Sequence, residues 1–412
     1  MPSQNQPQRD CDIVIFGATG FTGRLVAEYL ADQAGGGNGG AEPMRWAIAG
    51  RHSEKLEQLK NTLEQRNPAC SSVGVIQAEL HDWASLVFMA QRARVVLTTV
   101  GPFIKDGDRL VHACITGGAD YVDITGEPEF VDSVINQFYA QARESGRRIV
   151  NCCGFDSIPH DLGALYTVEQ LPEGVPIEIE GFVRSRGSVS GGTWQSAITA
   201  MARLRASRRQ TVAHRAGNTA DRSSTESSSG RRVYAIKPRL RYHRDLKGWV
   251  FPLPTIDGSI VRRSARGIER YGPSFGYAHY GVSRALHRIA MLGAGLGVVF
   301  ALAQLGPTRN FLLERKKSGQ GPDARERASN WFEVKFVGKA DNTKVITRVS
   351  GGDPGYGETA KMAAEAALCL AFDRDRLPDV AGVLTPAIAM GDVLIERLQK
   401  AGLRFEVLQT SQ

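Results

Sequence analysis

The sequence predicts an α/β protein: a doubly wound parallel sheet over residues 1–155, a second α+β domain over 156–350 with a mixed or antiparallel sheet, and helices in the closing segment 351–412. Three observations predict it. Up to residue 155, short β-branched apolar runs alternate with helical stretches of about 10–15 residues, the pattern of a parallel sheet covered on both faces. Three evenly spaced glycines separate the first strand from the first helix. Beyond 156 the periodicity changes to strict alternation, as in half-exposed strands.

Residues 12–16 (DIVIF) read as the first strand, Gly17–Gly23 as a glycine turn and Arg24–Leu30 as a helix. Gly35–Gly40 (GGGNGG) is a low-complexity loop before the second strand, Trp46–Ala49. Helices are expected at 54–65, with Ser53 as cap, and at 83–92, 108–116 and 128–144. Strands are expected at 73–78, 95–100, 121–123 and 148–152. In the second domain 177–184 alternates as a strand, 193–205 reads as a helix, and Ser223–Gly230 is a polar loop. The stretches 331–337 and 344–349 read as an antiparallel hairpin. An Ala-rich helix at 357–372, a helix at 387–400 and a strand at 404–408 close the chain.

The 412 residues are 42% hydrophobic and 23% charged, which excludes a mainly disordered chain. Six scattered Cys without a C-x-x-C pair exclude a disulfide scaffold and a zinc ribbon, and imply reduced thiols in a cytoplasmic protein. The polar N-terminus lacks the basic and apolar regions of a secretory signal. The charge of +8 is local: 203–247 holds 13 Lys and Arg against three acids, a net +10 that leaves about −2 elsewhere. Such a patch implies an anionic partner, namely anionic lipid, a CoA phosphate or an acidic carrier protein. No nucleic-acid motif accompanies it, so nucleic acid is not an expected partner. An uncharged stretch, 289–308, sits between Arg284, His287 and Arg288 on one side and Arg309, Arg315, Lys316 and Lys317 on the other. It reads as a membrane-contacting or lipid-lining element, as a buried helix, or as a span; a span would split its domain across the membrane.

The candidate functional residues gather at strand ends. Gly17, Ala18, Thr19, Gly20, Phe21, Thr22 and Gly23 form a G-x-x-G-x-x-G turn, which lets backbone approach a pyrophosphate at a helix N-terminus. Where an NAD site has an acid, the second strand ends in Arg51, which suits a 2′-phosphate, so NADPH is the expected cofactor. Val100, Gly101 and Pro102 at the fourth strand's end should flank the nicotinamide ribose. Tyr121, Asp156, Ser157 and His160 follow at later strand ends and are the candidates for proton transfer or carbonyl polarisation; equally, Asp156 and Ser157 suit a helix cap, and His160 a structural role. No Tyr is followed four residues on by Lys, which argues against a short-chain dehydrogenase. The G-x-S-x-G string at 272–276 lacks the preceding buried strand of a hydrolase, and no His, Cys or acid set has metal-ligand spacing.

Taken together, GATGFTGR at 17–24, AGR at 49–51, TTVGPF at 98–103, YVDITGE at 121–127 and GFDSIPHDLG at 154–163 resemble the saccharopine dehydrogenase-like oxidoreductases. The nearer resemblance is to the subgroup with the trans-acting enoyl reductases, and it continues through 321–323, 352–362 and 382–387. The resemblance implies a Rossmann NADP-binding domain, a second domain for substrate and dimerisation, and a C-terminal segment packing back on the first. It implies NADPH-dependent reduction of a carbon–carbon double bond in an acyl or lipid substrate held by a synthase; the cleft between the two domains is the expected entry for that substrate. The alternatives are a non-catalytic nucleotide-binding scaffold or redox sensor that docks on membranes, and a reductase of another small substrate. A homodimer, and a peripheral position at the inner face of the plasma membrane, are the assembly and location to weigh against a free cytoplasmic monomer.

Overall fold

A computed structural model of the chain describes residues 9–34, 44–187, 198, 201, 230–315 and 323–411. It divides into two compact units, one built from 1–158 and 354–403, the other from 159–353 and 404–412. The segment 351–412 is therefore shared out between the two. The expected loops at 35–40 and 223–230 and the helix at 193–205 lie outside the described residues, apart from Gly230 and the helical positions 198 and 201.

The first unit is a seven-stranded, all-parallel sheet. Its strands are β1 (Cys11–Phe16), β2 (Trp46–Gly50), β3 (Gly74–Gln77), β4 (Ala93–Thr98), β5 (Asp120–Asp123), β6 (Arg148–Val150) and β14 (Gly382–Leu384), in the order β14-β6-β5-β4-β1-β2-β3. The order reverses direction at β1 and β4, the Rossmann arrangement that places ligands at the carboxyl ends of those strands. The connecting helices are α1 (Phe21–Gln33), α2 (Ser53–Arg66), α3 (Trp83–Arg92), α4 (Phe103–Gly117) and α5 (Pro128–Glu144). On one face Val14, Phe16, Val96, Tyr121 and Ile149 meet Leu86, Met89, Leu110, Val111, Val134 and Phe138 of α3, α4 and α5. The other face is covered by α1 and α11 (Gly357–Phe372), whose Ala-rich surface is buried almost throughout. Helix α12 (Pro386–Lys400) packs on α11.

Two capping details differ from the sequence reading. Ser53 is the first helical residue of α2; the cap position is His52, and no side chain fills it. Helix α3 is capped by Asp82, whose carboxylate accepts from the N–H groups of Ala84 and Ser85. The strand β14 is a further addition: three residues, Gly382-Val-Leu384, pair with β6 in parallel.

The second unit is an eight-stranded mixed sheet. Strands β7 (Ile177–Arg186), β8 (Arg232–Ala235), β9 (Arg241–His243), β10 (Gly248–Pro252), β11 (Ser274–Ser283), β12 (Trp331–Ala340), β13 (Thr343–Gly351) and β15 (Arg404–Ser411) run β15-β13-β12-β7-β11-β10-β9, with β8 beside β11. Helix α6 (Ile158–Glu169) lies on β12 and β13, where a methyl at Gly163 would strike the Phe336 ring and Thr167 shares a hydrogen bond with Thr347, 2.6 Å between hydroxyl oxygens. Helix α7 (Asp257–Gly267) packs on β11. Ser274 of the G-x-S-x-G string opens strand β11 and does not stand on a strand-to-helix turn, so the nucleophile turn of a hydrolase is absent there.

The apolar stretch forms α8 (Leu286–Ala303), followed by α9 (Gly306–Glu314) and α10 (Ala324–Ala328). The buried-helix reading of this stretch does not hold, since of the residues of α8 only Ala303 is buried.

Candidate functional site

The glycine turn is fixed by steric necessity. Gly17 adopts φ +87°, and a methyl there would strike the Val100 side chain. A methyl at Gly23 would strike the Gly17 carbonyl and lie 2.8 Å from Thr99 Oγ1. The turn therefore seats directly on the end of β4, with Thr99 donating to the Gly17 carbonyl at 3.5 Å. The N–H groups of Gly17 and Ala18 bond to Ala49 O, and that of Gly20 to Gly17 O. The first turn of α1 has no side-chain cap and stands open to an anion.

Ala49 and Gly50 complete β2 beside this turn, with Phe16 in register with Ala49, and Arg51 follows the strand. Arg51 is exposed, and the uncapped N-terminus of α2 follows it immediately. A guanidinium beside an uncapped helix start suits a phosphate. On the other side of the turn, Val100, Gly101 and Pro102 lead into α4, whose N-terminus is capped by Glu127: its carboxylate oxygens accept from Phe103 N at 3.2 Å and Ile104 N at 2.9 Å. Sequence reasoning placed Glu127 only within a cluster and missed this role.

Structure separates the four proton-transfer candidates. Tyr121 is fully buried, and its hydroxyl donates to Asp123 Oδ2 at 3.0 Å. Asp123 also accepts from Asn151 Nδ2 (2.7 Å), Cys152 N (2.8 Å) and Thr125 N (3.1 Å). Burial nevertheless lifts its pKa to about 6, and those hydrogen bonds keep it from rising further. Burial, with Asp123 beside it, raises the Tyr121 hydroxyl well above its ordinary range. Tyr121 thus holds the end of β5 from within. Ser157 is buried, and its hydroxyl donates to the Asp156 carbonyl at 2.6 Å. Asp156 is exposed, and its carboxylate lies against Gly126, where a methyl would come within 3.0 Å of Oδ2. These three belong to the first unit.

His160 belongs to the second unit and is 2% exposed. Its Nδ1 is 2.8 Å from Asp257 Oδ1, and its ring stands edge-on to His279, 4.5 Å between centroids. His279 Nε2 is 3.7 Å from the other Asp257 oxygen. This arrangement is a buried histidine–carboxylate–histidine group. Beside it Ser264 donates to Asp161 at 2.5 Å.

Two residues of the site escaped the sequence reading because they come from the far end of the chain. Tyr356 packs edge-on against Phe21 of the glycine turn, 4.6 Å between centroids. Thr359 accepts from Phe155 N at 3.2 Å and donates to Pro354 O at 2.8 Å. The GDPGYGET segment thereby braces the loops after β1 and β6. The available signals were that this string is rich in glycine, precedes a helix and shares in the family resemblance.

Of the basic stretch, 203–229 lies outside the described residues. In the remainder, Arg231 is buried and donates to the carbonyls of Ala265 and Ile268, and Arg241 pairs with Glu180, whereas Arg232, Lys237, Arg239 and Arg244 are exposed. Among the described residues, no group of three or more His, Cys, Asp or Glu is arranged for a metal ion.

Comparison with known proteins agrees with this geometry. Residues 13–150 match the family model of the saccharopine dehydrogenase NADP-binding domain. The chain is 34% identical to a trans-acting enoyl reductase of Mycobacterium bovis over 96% of its length and 97% of that protein. It is 32% identical to the human saccharopine dehydrogenase-like oxidoreductase over 98% of its length and 99% of that protein. Among solved structures, apo saccharopine dehydrogenase (L-Glu forming) from Saccharomyces cerevisiae shares the fold, with a TM-score of 0.51 and 12% identity over 97% of this chain and all of that one. The glycine turn, the open start of α1 and Arg51 fit a pyrophosphate and a 2′-phosphate, and the chain belongs to the saccharopine dehydrogenase-like family of NADP(H)-dependent oxidoreductases.

Proposed function

We propose that the protein reduces a carbon–carbon double bond conjugated to the carbonyl of an acyl substrate. The observation that carries this reading is similarity over nearly the whole of both chains to a protein named as a trans-acting enoyl reductase, whereas the likeness to saccharopine dehydrogenase itself is a family-model match over residues 13–150 and a shared fold at 12% identity. NADPH, when bound, supplies the hydride. The glycine turn and the start of α1 hold its pyrophosphate, Arg51 with Ser53 reads the 2′-phosphate, and Val100, Gly101 and Pro102 flank the ribose next to the nicotinamide. Asp156 is the exposed member of the candidate set in the first unit, so it can exchange a proton with water and pass it to the substrate's α-carbon. Tyr121 and Ser157 position the loops that carry it. The exposed cations Arg232, Lys237, Arg239 and Arg244 receive an anionic carrier or CoA.

The test is NADPH consumption with α,β-unsaturated acyl thioesters of increasing length, free and carrier-bound. Asp156→Asn should lower kcat about 10²- to 10⁴-fold, the usual scale of a positioned acid or base, while leaving NADPH affinity intact. Arg51→Ala should weaken NADPH binding about 10- to 100-fold and leave NADH binding unchanged, as loss of a charge-assisted contact implies. Turnover of amino-acid or sugar carbonyls, with none of any acyl thioester, would overturn the acyl reading.

A further inference from the structure

Helix α8 is long enough to matter to a membrane and is left uncovered over most of its length. Its 18 residues have a mean hydropathy of 1.7, contain no charge after Arg288, and make the helix about 27 Å long, close to the ~30 Å of a bilayer's hydrocarbon. Met291 is 62% exposed, Val298 59%, and Leu292 and Leu296 49% each. Methyls built at Gly293, Gly295 and Gly297 meet nothing within 4 Å. From Ala290 to Val298 the helix thus offers apolar surface on all its sides, whereas a protein groove would cover one face; only its end, at Val299, Leu302 and Ala303, packs with Ile198, Met201, Leu312 and Leu313. Glycines weaken a helix in water, but in hydrocarbon the backbone has no other partner and stays helical. Arg284 and Arg288 precede α8 and Arg309 and Arg315 follow it, with Glu314 as the one acid between 284 and 315. That charge suits anionic headgroups at both ends.

The sheet decides how such a helix can sit. Strand β11 runs parallel to β7 and ends level with Val183–Arg186, while β12 runs antiparallel to β7 and starts at Arg186. The chain therefore leaves for α8 and returns from α10 at the same end of one sheet, two strand spacings or about 10 Å apart. Among the described residues no other helix is long and apolar enough to cross back, and α9 has only nine residues.

We propose that α8 is a monotopic anchor: it inserts into the acyl layer of an anionic bilayer from one side, and the chain returns to that side without crossing. Leu305 and Phe311, 61% and 57% exposed, extend the inserted surface into α9. This proposal does not rest on the substrate reading.

The test uses the full chain with vesicles of phosphatidylcholine and phosphatidylglycerol added from outside. Wild type should co-sediment with them, and Met291→Glu/Val298→Glu should bind at least about tenfold more weakly, since each acid is costly in hydrocarbon. NADPH affinity, unchanged in that variant, reports that it folds. All six native cysteines are buried, so Ala285→Cys and Asn310→Cys provide selective labels at the two ends of the anchor. On intact vesicles both should react with a membrane-impermeant maleimide. A dye on Gly295→Cys should shift to the blue, as in an apolar medium. Protection of Asn310→Cys until the vesicles are lysed would show a crossing helix and overturn the proposal. So would a protein that stays in the supernatant as a dimer with α8 shielded by a second copy, or vesicle binding that salt abolishes without any dye shift.

Discussion

Each unit holds deeply buried carboxylates, and two of them, Asp123 and Asp257, are solvated by opposite means. Asp123 in the parallel sheet receives neutral donors: a phenol, an amide and two backbone N–H groups. Asp257 in the mixed-sheet unit lies between the imidazoles of His160 and His279. The result differs in sign. Burial dominates at Asp123 and lifts its pKa to about 6. At Asp257 burial is the largest single influence, yet His160 by charge and hydrogen bond, His279 and a hydrogen bond from Thr255 together outweigh it and hold the carboxyl below its ordinary value. Neutral dipoles reduce the cost of burying an anion, whereas neighbours that can carry a proton reverse it.

The largest effect should come from breaking the charged arrangement. Asp257→Asn takes the carboxylate away from His160, 2.8 Å from it, leaves buried polar groups mispaired, and should destabilise the second unit by about 3 kcal/mol, measured by urea unfolding. A loss below 1 kcal/mol would show that the carboxylate is not what holds the two imidazoles in place.

The next effect is in pH dependence, and the two units should oppose each other. His279 is pushed down from 6.5 to about 4, first by burial, then by His160, with Asp257 acting the other way. Its unfolded form binds the proton more tightly, so its contribution is present above about 6.5 and lost as pH falls towards 4. Asp123 rises from 3.8 to about 6, so its contribution is whole below 3.8 and lost as pH rises through 6. Each is worth about 3 kcal/mol, and over the same window they offset. Hydrogen exchange followed from pH 4 to 7 should show β4–β5 amides better protected in acid and β7–β11 amides better protected at neutrality. His279→Gln should flatten the second profile alone.

A smaller effect should follow from Asp123→Asn, which costs about 1–3 kcal/mol at pH 7 by mismatching buried donors. That cost should grow below pH 5, where protonation stabilises the folded wild type and the amide gains nothing. The smallest should be Tyr121→Phe, about 1 kcal/mol for one hydrogen bond, with the Asp123 pKa moving further up as one donor is lost. If Tyr121→Phe instead abolished turnover while stability and the Asp123 pKa stayed as in wild type, Tyr121 would be reacting with substrate.

The same contrast explains what could be read from the sequence. The parallel sheet was legible because buried strands such as Val95–Thr98 are continuous apolar runs, and helices 83–92, 128–144 and 357–372 have the bounds expected of them. The glycine turn was legible because its geometry is local, and Arg51 stands at the end of β2, where the pattern put it. Asp123 was not, because whether an aspartate at a strand end faces solvent or core depends on helices packed from elsewhere. His160 read as a proton source because nothing near it in the chain announces Asp257, almost 100 residues on. Tyr356 is likewise more than 300 residues from Phe21. Strand β14 has only three residues, and its pairing with β6 makes it a strand. The exposure of α8 could not be read from an apolar run that would look the same in a core.

The shared-out C-terminus has a consequence for synthesis. The first unit needs 354–403, which supply its seventh strand and the Ala-rich helix over β1, β4 and β5, yet 159–353 are translated before them. On the ribosome six strands of the nucleotide-binding sheet wait, with one face partly bare, while nearly 200 residues of another domain emerge. A chain terminated anywhere before residue 372 leaves that apolar face uncovered, so a premature stop should yield aggregate rather than a free nucleotide-binding half.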